Sequence, residues 1–220
     1  MSLPKSELRY TVEEYLALER EAEERHEYLD GQICAMAGES PAHADICVNI
    51  VRELSSQLKG KPCRVWTKDT KVRSGPLLQR RRATKGLFSY PDVLVVCGEP
   101  KFLDEHQDVL LNPTIIIEVS SPSTENFDYG KKFWRYRQYL PSLTDYLLVD
   151  QTVPLIGHYV RRSADEWTFS SASELEGRLY IASIDCTLEM AEVYDRVIFP
   201  DEELEELEEE LPPYSPTRPS

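Results

Sequence analysis

Two apolar stretches, SYPDVLVVC at residues 89–97 and PTIIIEVSS at residues 113–121, indicate the fold most clearly. Both are short and rich in β-branched residues, which is typical of strands buried on both faces of a sheet. Each stretch also carries one carboxylate, Asp92 and Glu118. A buried carboxylate is costly unless it is paired or binds a metal ion. The two predicted strands therefore indicate an acidic site in the interior of the molecule.

The segments around these strands alternate between helical and extended patterns. Thr11 and Glu14 have the spacing of a capping box at the start of a first helix, and Asp30-Gly31 predicts a hairpin turn. A second helix is expected over residues 41–60, and a third is expected to end before Pro141. Further strands are predicted at residues 63–75, 145–150 and 154–172, an exposed basic loop at residues 77–88, and a last short helix within residues 187–199. This order predicts a mixed α/β layer fold.

A third carboxylate and a lysine have positions that could bring them to the same site. Glu27 lies at the predicted junction of the first helix and the hairpin. Lys131 and Lys132 are adjacent on the third helix, so that only one of them can face the sheet. Lys132 shares a helix face with Tyr136 and lies two turns from Tyr139, which favours Lys132 as the inward residue.

Composition sets limits on the partners and on the organisation of the chain. The 220 residues are expected to form one domain, residues 1–200, and an acidic, proline-rich flexible tail, residues 201–220. The net charge is −14, and residues 1–200 still carry 31 acidic and 24 basic residues. Contact with nucleic acid must therefore use local basic patches. No stretch of 18 apolar residues or secretory signal is visible, so a cytoplasmic protein that does not cross a membrane is expected.

The five cysteines show no CxxC pair and are odd in number. Reduced and mostly buried thiols are therefore expected, and zinc binding is not. No GxSxG motif and no glycine-rich phosphate loop is present, which argues against serine-nucleophile and nucleotide-binding chemistry.

The ordered set of motifs resembles the Uma-type restriction endonuclease domain family of the PD-(D/E)XK nuclease superfamily. The similar elements are YTVEEYLAL, RHEYLDGQI, PAHADICVNI, PDVLVV, IIIEVSSPST, a D-x-x-x-K spacing and DYLLVD. They extend from about Tyr10 to Phe199. The resemblance implies an α/β fold with a restriction-endonuclease-like mixed β-sheet core flanked by helices.

The resemblance also implies roles for individual residues. Asp92 and Glu118 match the metal ligands of the two motif strands, and Glu27 matches a further ligand, held directly or through water. Val119 can supply a backbone carbonyl to the metal, and His43 matches a recurring histidine that contacts phosphate or supports the site. The lysine expected at position 120 is replaced by Ser120. The family's displaced lysine corresponds to Lys132, on the next helix.

These matches lead to a hypothesis of metal-dependent phosphodiester hydrolysis, specifically by an Mg²⁺-dependent endodeoxyribonuclease that also accepts Mn²⁺. Catalysis is assigned to Asp92, Glu118 and Lys132, and a homodimer is expected. Backbone phosphates of DNA are expected to bind a basic group composed of Arg80, Arg81, Arg82, Lys131 and Arg135. Two alternatives stay open: a catalytically inactive nuclease-fold module for binding or assembly, and a small-molecule enzyme that uses the same carboxylates.

Overall fold

The computed structural model describes residues 9–36, 38–76, 83–120 and 128–200. The helices are α1 (Val12–Glu21), α2 (Pro41–Gln57), α3 (Phe133–Tyr139) and α4 (Met190–Val193), and a π-helical turn at Asp128–Lys132 leads into α3. The strands are β1 (His26–Leu29), β2 (Gln32–Ala35), β3 (Cys63–Thr67), β4 (Lys71–Ser74), β5 (Leu87–Ser89), β6 (Val93–Cys97), β7 (Val109–Leu110), β8 (Ile115–Ser120), β9 (Asp145–Asp150), β10 (Leu155–Arg161), β11 (Trp167–Ser173), β12 (Arg178–Ile181) and β13 (Cys186–Glu189).

The strands form two mixed sheets and a separate hairpin. The larger sheet has the order β11-β10-β9-β8-β6-β3, and only its β8–β9 pair is parallel. The smaller sheet has the order β2-β1-β5-β4-β7, with β4 and β7 parallel. Strands β12 and β13 form the hairpin. This is the mixed α/β architecture that the sequence predicts.

The larger sheet is covered on both faces, which explains why β6 and β8 are continuous apolar runs. On one face, Ile50 and other apolar residues of α2 pack against Val93, Ile117 and the hairpin β12–β13. On the other face, Ile116 and Leu94 pack against α3 and the smaller sheet. Successive residues of β8 therefore enter different cores, because side chains alternate along a strand.

Local signals account for the beginning of the fold. Thr11 and Glu14 form the predicted capping box of α1, in which each side chain bonds the other residue's backbone N–H. Asp30 and Gly31 both have positive φ, +48° and +99°, as a two-residue turn between antiparallel strands requires. The prediction of this hairpin is confirmed.

Two predictions about local structure are wrong in part. Leu87 and Phe88 belong to a buried strand rather than an exposed loop, because their apolar side chains enter two different cores. The last helix covers only Met190–Val193, since Thr187 and its neighbours form β13. The tail, residues 201–220, lies outside the described residues.

The cysteines also differ from the expectation. Cys63 and Cys97 form a disulfide between directly paired positions of β3 and β6. Cys34 is exposed, Cys47 is half-buried and Cys186 is buried. The prediction of five reduced, mostly buried thiols is thus wrong for the disulfide pair and for Cys34, because partners 34 residues apart in sequence are brought together only by strand register.

A buried polar cluster beside the parallel pair was not predicted. His158 Nε2 lies 2.7 Å from Asp145 Oδ1, and the other carboxylate oxygen accepts hydrogen bonds from Ser183 and from Thr144 Oγ1. Burial alone would raise the pKa of Asp145, but these hydrogen bonds, with that from His158 the largest, outweigh it and hold the pKa below its usual value.

Replacement of Ile50 by alanine should lower the free energy of unfolding by about 2–5 kcal/mol, because Ile50 is fully buried against the larger sheet. Val48→Ala, on the exposed side of the same helix, should change it by less than about 0.5 kcal/mol. Urea denaturation followed by circular dichroism measures both values. Equal losses from the two variants would contradict the packing described for α2.

Asp145→Asn should destabilise the protein at neutral pH by an amount that shrinks once the pH falls below about 4, the usual aspartate pKa. The native pKa is lowered, so the stabilisation is complete above the unfolded-state pKa and is lost as pH falls through the native pKa. Urea midpoints of both proteins between pH 7 and pH 3 measure the difference. A gap that widens towards acidic pH would contradict this assignment.

Candidate active site

Glu118 lies in the middle of the molecule on β8, with its side chain 4% exposed. The tyrosine of α3 that faces it, Tyr136, donates a hydrogen bond to Glu118 Oε1 at 3.1 Å. Because the hydroxyl proton of Tyr136 is donated to Glu118, Ser89 Oγ, 2.7 Å from the tyrosine oxygen, donates its own proton to that oxygen. The carboxylate is thus fixed by a chain of hydrogen bonds from β5 through α3.

Lys132 ends the π-helical turn and extends its ammonium into the same interior. Its Nζ lies 3.1 Å from Glu27 Oε1 and 3.6 Å from Glu118 Oε1, and its side chain is 10% exposed. Lys131, the adjacent lysine, is exposed. The prediction that Lys132 is the inward residue of the pair is confirmed.

Glu27, on β1, brings the second sheet into the site. Its side chain is 16% exposed, and its Oε1 is buried and accepts no hydrogen bond of ordinary geometry from the residues that the structure describes. A buried carboxylate oxygen of this kind can still accept a cation in addition to the Lys132 ammonium. The two glutamates, Glu27 and Glu118, together with Lys132 form the glutamate–lysine group.

The sequence predicted that Asp92 lies within a strand. In the structure it lies just before β6, which begins at Val93. Its Oδ2 accepts a hydrogen bond of 2.7 Å from the backbone N–H of Val119, and its Oδ1 lies 3.0 Å from His43 Nε2. His43 is held in turn by the start of α2, where Ser40 Oγ accepts its backbone N–H. The backbone N–H of Val119 thus binds Asp92. That the carbonyl of Val119 is a metal ligand stays a prediction.

Asp92 and Glu118 lie next to a pair of opposed residues on β6 and β8. Val93, the residue after Asp92, pairs with Ile117, the residue before Glu118. Burial raises the pKa of the Cys47 thiol, and the negative charges of both Asp92 and Glu118 raise it further. The charges of both carboxylates therefore reach Cys47 on α2, although the Glu118 side chain itself contacts α3.

The described residues contain one group of three potential metal ligands whose donor atoms lie within 4.8 Å of one another, and it is His43, Cys47 and Asp92. Asp92, Glu27 and Glu118 do not form such a group in this part of the chain. The structure brings Lys132 together with Glu27 and Glu118, and it brings His43 together with Asp92. Cys47 was not predicted as a site residue. The spacing of Cys47, four residues after His43 on one helix, was the available signal.

The basic residues expected to bind nucleic acid are only partly described. Lys131 is exposed, whereas Arg135 is half-buried and forms an ion pair with Asp30. Arg80, Arg81 and Arg82 lie outside the described residues. Trp134, between Lys131 and Arg135, is 56% exposed. Among the helices of the described part, none is long and apolar enough to cross a membrane.

Comparison with solved structures supports the fold. A structure described as a "putative nuclease belonging to DUF820" from Anabaena variabilis superposes with a TM-score of 0.67 at 17% identity. The match covers 86% of this chain and 99% of the other chain. The predicted restriction-endonuclease-like α/β fold is thereby confirmed.

Comparison of sequences gives the family. The uncharacterized protein sll1609 of Synechocystis sp. is 34% identical over 157 residues, which are 71% of this chain and 84% of the relative. The uncharacterized protein slr1290 of the same organism is 33% identical over 187 residues, 85% of this chain and 92% of the relative. The model of the family Uma2, "Putative restriction endonuclease", matches residues 12–191. On these matches, the chain belongs to the Uma2 family.

Proposed function

We propose that this chain is a metal-dependent endonuclease that hydrolyses phosphodiester bonds, with DNA as its substrate. The observation that carries the proposal is the burial of the Lys132 ammonium between Glu27 and Glu118, in a chain of a nuclease family. A lysine next to two motif carboxylates is a combination suited to the attack of water on a phosphate.

The side chains present fit a hard divalent cation. Asp92, Glu118 and Glu27 offer carboxylate oxygens, which Mg²⁺ and Mn²⁺ prefer. Glu27 Oε1 is buried and lies 3.1 Å from the Lys132 ammonium, so a cation bound there would share this oxygen with the lysine. When bound, such a cation lowers the pKa of coordinated water and polarises a phosphate oxygen. Asp92 and Glu118 would hold it, and Glu27 would complete the set.

The remaining roles fall to residues around the carboxylates. Lys132 donates hydrogen bonds to the attacked phosphate or the attacking water, and its charge offsets the negative charge that develops. Tyr136 and Ser89 hold Glu118 in one orientation, and Val119 N–H does the same for Asp92. Lys131 is exposed on the same turn and contacts the phosphate backbone. Two copies of the chain would cut the two strands of a duplex.

One observation favours an inactive binding module instead. Lys132 already forms ion pairs with Glu27 and Glu118, which can neutralise the buried charge without a metal. In that case the glutamate–lysine group only holds α3 against the two sheets. The two alternatives predict different effects of a divalent metal ion and of each substitution on cutting activity and on stability.

Nicking of supercoiled plasmid DNA in Mg²⁺ or Mn²⁺ tests the activity directly. Asp92→Asn and Glu118→Gln should abolish cutting, because they remove metal ligands. Lys132→Gln should slow it by about 10²–10³-fold, the usual cost of losing one group that stabilises the transition state. Lys131→Gln, which removes one contact to the phosphate backbone but no catalytic group, should slow cutting much less than Lys132→Gln does. Wild-type protein that never cuts in either metal would refute the endonuclease proposal.

The stability of the metal-free protein tests the ion pairs. Lys132→Met should lower the free energy of unfolding by about 3–5 kcal/mol, because it leaves buried carboxylates uncompensated. Lys131→Met should have an effect below about 0.5 kcal/mol. Thermal unfolding with and without Mn²⁺ then separates the two functions. A wild-type midpoint that Mn²⁺ does not raise, together with this loss in Lys132→Met, would favour the inactive module.

A further inference from the structure

A second group of potential metal ligands lies on the α2 side of Asp92. His43 and Cys47 are four residues apart on α2 and therefore project from the same face of that helix. Asp92 approaches this face from the start of β6, with its Oδ1 3.0 Å from His43 Nε2. The imidazole nitrogen, the thiol sulfur and the carboxylate oxygen all lie within 4.8 Å of one another.

The donor atoms differ in kind from those of the glutamate–lysine group. A sulfur, a nitrogen and an oxygen suit Zn²⁺ and its neighbours among the transition metals, whereas Mg²⁺ selects oxygen atoms. Three protein ligands with one position left for solvent is the usual composition of an open zinc site. The site is thus suited to a cation that the carboxylates alone do not select.

Hydrogen bonds already orient two of the three side chains, those of His43 and Asp92, towards each other. The bond from Val119 N–H to Asp92 Oδ2 leaves Oδ1 turned towards His43. Such a bond to the second oxygen of a ligating carboxylate is a common support of metal sites. Ligand atoms of tetrahedral zinc lie roughly 3.3–3.6 Å apart, given bond lengths of about 2.0–2.3 Å. Around such an ion the His43 and Asp92 atoms, now 3.0 Å apart, would separate slightly, and the Cys47 sulfur, within 4.8 Å of both, would move towards the ion.

We propose that His43, Cys47 and Asp92 form a transition-metal site that binds Zn²⁺. The site has a consequence that rests on the endonuclease proposed above. Asp92 cannot serve fully in both sites, so Zn²⁺ at His43 and Cys47 withdraws it from the Mg²⁺ site. Zn²⁺ therefore inhibits Mg²⁺-dependent cutting, and the cysteine sets the concentration at which it does so.

Titration of the full chain with Co²⁺ tests the site without reference to activity. Chelator-treated protein in oxygen-free buffer should develop a sulfur-to-cobalt charge-transfer band in the near ultraviolet, saturating at one equivalent. Added Zn²⁺ should displace the Co²⁺ and remove the band. Cys47→Ser should abolish the band and weaken Zn²⁺ binding by at least about 100-fold, since even the loss of a supporting residue costs 10–100-fold.

Cys34→Ser is the matched control, because Cys34 is an exposed thiol on β2. It should leave the band and the Zn²⁺ affinity unchanged. His43→Gln should weaken Co²⁺ binding and change the visible bands, which tests the site with a second variant if Cys47→Ser does not fold. Absence of the charge-transfer band in the wild-type chain, or its survival in Cys47→Ser, would overturn the proposal.

The outcomes of this proposal and of the endonuclease proposal are separable. Glu118→Gln should retain the cobalt band, because Glu118 is outside the three ligands, although it loses nicking. A cobalt band in a chain that never cuts DNA would support the zinc site and refute the endonuclease. Cutting that Zn²⁺ inhibits equally in Cys47→Ser and in the Cys34→Ser control would refute the inhibitory role.

Discussion

The burial of one ammonium group between two carboxylates is the constraint on which the centre of this molecule depends. Glu27 and Glu118 come from different sheets, and both are negatively charged in an interior where water cannot screen them. Lys132 offsets that repulsion and so joins β1, β8 and α3. The position of α3 follows from this, since Tyr136 on the same helix face completes the hydrogen bonding of Glu118.

The alternation of side chains along β8 divides the polar centre into two halves. Glu118 turns towards α3 and the smaller sheet, whereas the backbone of Val119 anchors Asp92 near α2. The first half contains carboxylates and a lysine, and the second adds a histidine and a cysteine. Asp92 lies between them, so the chemistry of either half is expected to depend on how this one carboxylate is shared.

Much of the fold could be predicted because its signals are local. The capping box at Thr11, the turn at Asp30-Gly31 and the apolar runs of β6 and β8 each depend on a few adjacent residues. The site residues could be grouped because their motifs occur in a recognisable order. The inward orientation of Lys132 followed from helix geometry alone.

The features that were missed depend on distant partners. The disulfide between Cys63 and Cys97 forms because the register of β3 and β6 places the two cysteines opposite each other. The proximity of Cys47 to Asp92 depends on how α2 crosses the sheet. Asp145 acquires three partners from β10, from its neighbour Thr144 and from Ser183 before β13. None of these contacts leaves a periodic pattern in the sequence.

The packing of α2 constrains how the chain folds during its synthesis. Asn49 on this helix donates hydrogen bonds to the backbone carbonyls of Val193, at 3.1 Å, and Asp195, at 2.9 Å. The same helix shares its apolar core with Leu188 and Met190. A nascent chain cannot complete the packing of α2 until this segment leaves the ribosome, because β6 and β8 cover only part of its apolar face. Part of the helix therefore stays exposed after β6 and β8 have been made, and other proteins, chaperones among them, can bind it during that interval.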